Sequence, residues 1–195
     1  MSGMRILVVI SSPRDLPPLD AYAERRRIQK ALDEVAAQGL VDISFLETAT
    51  RRALQDELRR GYHIMHFIGH GAFRRSWGCL VLEDEEERRR LLDAEALGYL
   101  LKDTRVRLVV LNACSTAQIK GGNPFMAVAP ALVRARVPAV IAMQFPIPDD
   151  TAAVFAQEFY RALSYAVQGE YYPIGVCLAE ARKACLLYTS PSPRD

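Results

Sequence analysis

Apolar residues along the chain follow two rhythms. Short, nearly unbroken runs at Arg5–Ile10, Val41–Leu46, His63–Ile68, Arg105–Leu111 and Ala139–Met143 read as strands of a buried sheet. Between them, apolar positions recur three and four apart, which predicts amphipathic helices over Leu19–Ala37, Thr50–Arg60 and Asp93–Lys102. Three more run from Asn123 to Arg136, Asp149 to Val167 and Pro173 to Ala184. Their ends carry matching punctuation: Gly61 follows the second helix, and Asn123-Pro124 offers a cap with a proline at the first helical position. Strand and helix in alternation predict an α/β fold around a mostly parallel sheet. A further short strand is expected at Cys79–Glu83. The charge run Glu83–Arg90 reads as a solvated hairpin tip or helix start, because like charges crowded together favour water.

The 195 residues suffice for one domain with a sizeable core. Their 25 basic and 23 acidic side chains leave a net charge of +2, so no whole-molecule field points to nucleic acid or to a membrane surface. The apolar start, Ile6 to Ile10, is too short for a secretory signal or a membrane span. Cys79, Cys114, Cys177 and Cys185 lie far apart with no C-x-x-C pair, which suggests neither a disulfide framework nor a zinc ribbon. A reducing cytoplasm is therefore expected. The segment Cys185–Asp195 looks like the translation of a common transposase sequencing adaptor, so the fold is expected within 1–184, with the natural C-terminus and a last strand missing.

Parallel sheets place ligands and chemistry at the carboxyl ends of their strands. The third strand runs into Gly69-His70-Gly71, whose glycines leave the backbone free to turn and let a substrate chain come close. The fourth runs into Asn112-Ala113-Cys114-Ser115. A thiolate is a strong nucleophile and an imidazole can take and return a proton near neutral pH, so His70 and Cys114 at neighbouring strand ends would suit acyl transfer. Cys114 would attack a peptide carbonyl and His70 would protonate the departing amine. The backbone N–H groups of Gly71 and Cys114, expected in turns and spared from the sheet ladder, are the candidates for an oxyanion hole. Read singly, a buried Cys is more often a small hydrophobe and a strand-end His a satisfied polar residue.

These residues resemble the CHAT domain, a bacterial relative of caspases and separases. The resemblance rests on Ile6-Leu-Val-Val-Ile10 followed by Pro13 to Leu19, on His66-Phe-Ile-Gly-His-Gly71, on Leu108-Val-Val-Leu-Asn-Ala-Cys-Ser115, and on Val137-Pro-Ala-Val-Ile141 before Phe159-Tyr-Arg-Ala-Leu163. It implies a caspase-like αβα sandwich, a cysteine endopeptidase with His70 and Cys114 as its dyad, a protein or peptide substrate, and a regulatory helical-repeat or sensor partner. By likeness to the separase branch, Asp149 would receive an Arg or Lys before the scissile bond. Read from the residues alone, Asp149 and Asp150 equally suit the cap of the helix that follows. The pattern departs from the family at Phe145, where a Trp is common, and at Ser115-Thr-Ala-Gln118, which lacks a glycine.

Other chemistry finds less support. His63, His66 and His70 would share one helix face and could be joined by Cys79 as a metal site, but a glycine-bounded run this short reads as a strand, which sends His63 and His66 to opposite sides. His66 is the better placed of the two to support His70. No G-x-G-x-x-G, Walker-type loop or G-x-S-x-G elbow is present, and no cofactor is expected. The runner-up is a catalytically weak caspase-like module that serves as an interaction domain in prokaryotic signalling or defence.

Overall fold

A computed structural model describes residues 3–113, 122–144, 148–169 and 173–188. The elements in chain order are β1 (Met4–Ile10), α1 (Ala21–Ala37), β2 (Val41–Phe45), α2 (Arg51–Leu58), β3 (Ile64–Gly69), β4 (Gly71–Arg74), β5 (Trp77–Glu83), β6 (Arg89–Asp93), α3 (Ala94–Leu101), β7 (Leu108–Ala113), α4 (Pro124–Arg134), β8 (Ala139–Ala142), α5 (Asp149–Val167) and α6 (Ile174–Tyr188). They form a five-stranded sheet of order β2-β1-β3-β7-β8 and a three-stranded antiparallel sheet of order β4-β5-β6. The pairs β1–β3, β3–β7 and β7–β8 are parallel. This is the expected α/β architecture, consistent with a caspase-like sandwich.

The chain divides into two compact units. The larger, Arg5–Glu24 with Ile43–Pro146, holds β3 to β8, helices α2 to α4 and most of β1. On one face of its strands Leu7, Val9, Met65, Phe67, Val109 and Leu111 join Leu54 and Leu58 of α2, Leu97 of α3 and Phe125, Val128 and Leu132 of α4 in one core. Each fully buried side chain of this size contributes roughly 1.5–3 kcal/mol. The alternate positions Ile6, Val8, Ile64, Ile68, Leu108 and Val110 are buried as well, which is why these strands read as continuous apolar runs. The other unit, Met1–Met4 with Arg25–Asp42 and Ile147–Asp195, contains most of α1 together with α5 and α6. There Phe155 stacks on Phe159, whose ring meets Tyr160 edge-on, while Cys177, Ala181 and Ala184 are buried on α6.

Helix starts follow the sequence signals. Asp20 accepts from the Ala23 N–H, Thr50 from the Ala53 N–H, Asp93 from the Ala96 N–H and Asn123 from the Phe125 N–H. Three expectations shift. β7 begins at Leu108 and extends through Ala113 instead of spanning Arg105–Leu111; Thr104 Oγ1 accepts from the Val106 N–H and holds the approach in a turn. The lone extra strand is the middle of a three-stranded sheet whose outer strands, four and five residues long, lack an apolar run. Helix α6 continues past Ala184 to Tyr188. The charged run does form a hairpin tip, where Asp84 Oδ1 accepts from the Glu86 and Arg88 N–H groups.

Candidate active site

Neighbouring parallel strands β3 and β7 run in register from Ile64 beside Leu108 to Gly69 beside Ala113, so they end level at the same rim. His70 follows Gly69 directly. Cys114 follows Ala113 in the sequence and lies outside the described residues.

The His70 side chain is buried, with its Nε2 3.0 Å from the carbonyl oxygen of Pro17. A carbonyl only accepts, so this partner assigns the proton to Nε2 and leaves the lone pair on Nδ1. Pro17 sits in the segment after β1, which is tied down along its length. The Ser11 N–H donates to the Ile68 carbonyl at 3.0 Å, and the Ser12 N–H to Glu83 Oε1 at 2.7 Å. Ser12 Oγ donates to the Leu19 carbonyl and accepts from the Leu19 N–H, closing the segment on itself. Asp15 accepts from the Arg89 N–H at 2.8 Å, and the Arg14 N–H donates to the Glu87 carbonyl. The acidic hairpin therefore holds the segment that orients the His70 ring. Sequence reasoning missed Pro17, because a backbone oxygen 53 residues away leaves no side-chain signal.

The two glycines are there for room rather than for turning. Neither takes a positive φ. A Cβ on Gly69 would stand 2.9 Å from both the Phe67 ring and the Ser11 carbonyl oxygen, and one on Gly71 2.9 Å from the Phe125 ring. Gly71 opens β4 rather than lying in a turn. Because the Val81 N–H donates to the His70 carbonyl, Gly71 and Leu80 form a non-hydrogen-bonded pair. The Gly71 N–H consequently faces away from β5, along the outer edge of that sheet, and stays spared from the ladder.

Beside this rim Asn123 caps α4 and its Nδ2 donates to the Met143 and Gln144 carbonyls at 2.6 and 2.9 Å, fastening the helix start to the end of β8. Ser11 Oγ and Asn112 Oδ1 are buried near the ends of β1 and β7 with no hydrogen-bond partner among the described residues. Asp149 is the first residue of α5, one position after its N-cap Pro148, and its side chain lies outside the described residues.

The other candidate ligands have separate surroundings. His63 Nδ1 accepts from the Arg5 N–H, and burial followed by the Arg105 and Arg5 charges pushes its pKa down. His66 lies within β3 between Val8 and Val110, where burial lowers it to about 4. Burial, then Asp93, raises the Cys79 thiol, and burial raises those of Cys177 and Cys185, which makes all three poor nucleophiles. No group of three His, Cys, Asp or Glu that could hold a metal occurs among the described residues. No helix among them is long and apolar enough to cross a membrane.

A search of curated proteins finds no match. Among protein families, the CHAT domain matches residues 3–193. The chain thus belongs to the CHAT family, which is related to the caspase-like peptidases.

Proposed function

We propose that the protein is a cysteine endopeptidase that cleaves a protein substrate with Cys114 as nucleophile and His70 as acid and base. The observation that supports it most is the His70 ring, fixed by the Pro17 carbonyl with its basic Nδ1 left available, one residue past the point where β3 and β7 end in register. The Cys114 thiol gives its proton to Nδ1 and attacks the scissile carbonyl carbon. The C–S bond forms while the carbonyl electrons move onto oxygen, and the Gly71 and Cys114 N–H groups stabilise that oxyanion. His70 then protonates the amide nitrogen, the C–N bond breaks and the amine leaves a thioester. Water, deprotonated by His70, attacks the thioester and restores the thiol. Throughout, the Pro17 oxygen accepts from Nε2–H, most strongly when the ring is imidazolium.

Asp149, at the first position of α5, would receive the basic side chain before the scissile bond, as in the separase branch. The family likeness also suggests a protein regulator.

A thiol-directed probe tests the dyad, with Cys185, the partly exposed thiol, as internal reference, since Cys79 and Cys177 are buried. Cys114 should label far faster than Cys185, and His70→Ala should remove the difference. Equal labelling in both proteins favours the catalytically weak interaction module. Peptide reporters with Arg or Leu before the scissile bond test the specificity: Asp149→Ala should erase the preference for Arg, and an unchanged preference rejects that role.

A further inference from the structure

At the end of α4 away from Asn123, this helix and α3 cross at close quarters. A Cβ on Gly98 would stand 2.7 Å from the Cβ of Ala135, so the helices approach more closely than ordinary side chains permit. Beside the crossing opens a furrow of about 480 Å³, within the range of ligand-sized cavities. It shares Trp77 and Arg134 with a second cavity of about 350 Å³, and Tyr99 and Lys102 with a third of about 440 Å³. Neighbouring hollows of this kind suit successive side chains of one peptide better than a single small molecule.

Its walls combine two features that a solvated helix pair does not need. Trp77 and Tyr99 are 58% and 69% exposed, although aromatics of this size ordinarily bury their rings. Lys102, Arg134 and Arg136 line the same furrow and make no ion pair among the described residues. Helix C-termini attract cations, which accounts for charge at this end but not for two uncovered rings beside it. Exposed aromatics with arginines are the composition of protein-binding hot spots, and the uncompensated cations ask for carboxylates. Glu95 on the wall can accept from the backbone N–H groups of a peptide, donors that a phosphate backbone does not offer.

We propose that the α3–α4 furrow docks an acidic peptide segment of a protein partner, anchored by apolar side chains on Trp77 and Tyr99 and by carboxylates on Lys102, Arg134 and Arg136. None of these residues belongs to the proposed catalytic set, so the two readings fail separately.

Trp77 is the only tryptophan in the chain, so its fluorescence reports on the furrow alone. The probe is a short end-capped peptide of Glu, Asp, Leu and Phe, titrated into the full chain. A saturable shift of Trp emission to shorter wavelength is expected, and Lys102→Glu with Arg134→Glu should weaken binding about tenfold or more. Both sites are exposed and an unchanged melting temperature checks the fold; should the pair unfold, Tyr99→Ser carries the same test through a fluorescein-labelled peptide. The proposal is overturned by no saturable response, an equal response to a peptide with Lys in place of the acids, unchanged affinity in the variants, or displacement by a single-stranded oligonucleotide. A shift that follows protein concentration alone also overturns it, in favour of a second copy of the chain.

Discussion

The middle of β3 and the residue just past its C-terminal end carry the same side chain four residues apart, in opposite physical settings. His66 is flanked in register by Val8 and Val110 and is enclosed, so its charged form is excluded down to about pH 4. His70 stands where pairing with β7 has just ended, and its ring is held by a carbonyl oxygen. Enclosure within the sheet gives a histidine one protonation state across physiological pH. The rim gives it an oriented ring with one nitrogen committed and the other open, which is what proton transfer requires.

The largest effect that would sharpen this contrast is catalytic. His70→Ala should lower cleavage of a peptide reporter by roughly 10²–10⁴-fold while costing about 1–3 kcal/mol of stability, because a buried ring is removed and the Pro17 carbonyl loses its donor. A comparable loss in both measurements would give His70 a structural role like that of His66.

Next comes the pH dependence of stability. The folded pKa of His66, about 4, lies below the unfolded value of about 6.5, so the unfolded chain binds the proton first as pH falls. Stability is full above about pH 6.5 and declines toward pH 4, by about 3 kcal/mol from this residue. Urea unfolding of His66→Leu should lack that share of the decline; an identical pH profile would refute the assignment.

Gly69→Ala tests whether the rim needs space. Its Cβ would press on the Ser11 carbonyl, which cannot swing away as a side-chain tip can, so a loss of about 1–3 kcal/mol in thermal unfolding is expected. The smallest effect belongs to Asp15→Ala, since the contact with Arg89 is partly solvated; it should cost at most about 1 kcal/mol, yet lower kcat by loosening the segment that carries Pro17.

How much of this was legible follows from where the information resides. Runs such as Leu7-Val-Val9 and Val109-Val-Leu111 announced buried parallel strands because both faces are covered, and Thr50, Asp93 and Asn123 cap their helices through side chains that a reader can see. His70 and Gly71 stood out as residues at a strand end. Their supports did not. The Pro17 contact uses an atom every residue possesses, Gly69 and Gly71 are dictated by the rings of Phe67 and Phe125, and β4 and β6 are set by pairing with β5 rather than by composition. The furrow was equally silent, because Trp77, Tyr99 and Arg134 are brought together only where β5, α3 and α4 meet.

Since the group that steadies the His70 imidazole is a main-chain oxygen, no amino-acid exchange at position 17 can delete it. Point mutation leaves that atom in every descendant; an insertion or deletion between Ser12 and Leu19 would carry it out of reach. The ring's alignment is thereby insulated from substitution and vulnerable to changes in loop length, so lengthening that loop by a single glycine would detune the imidazole more than most replacements of Pro17 itself.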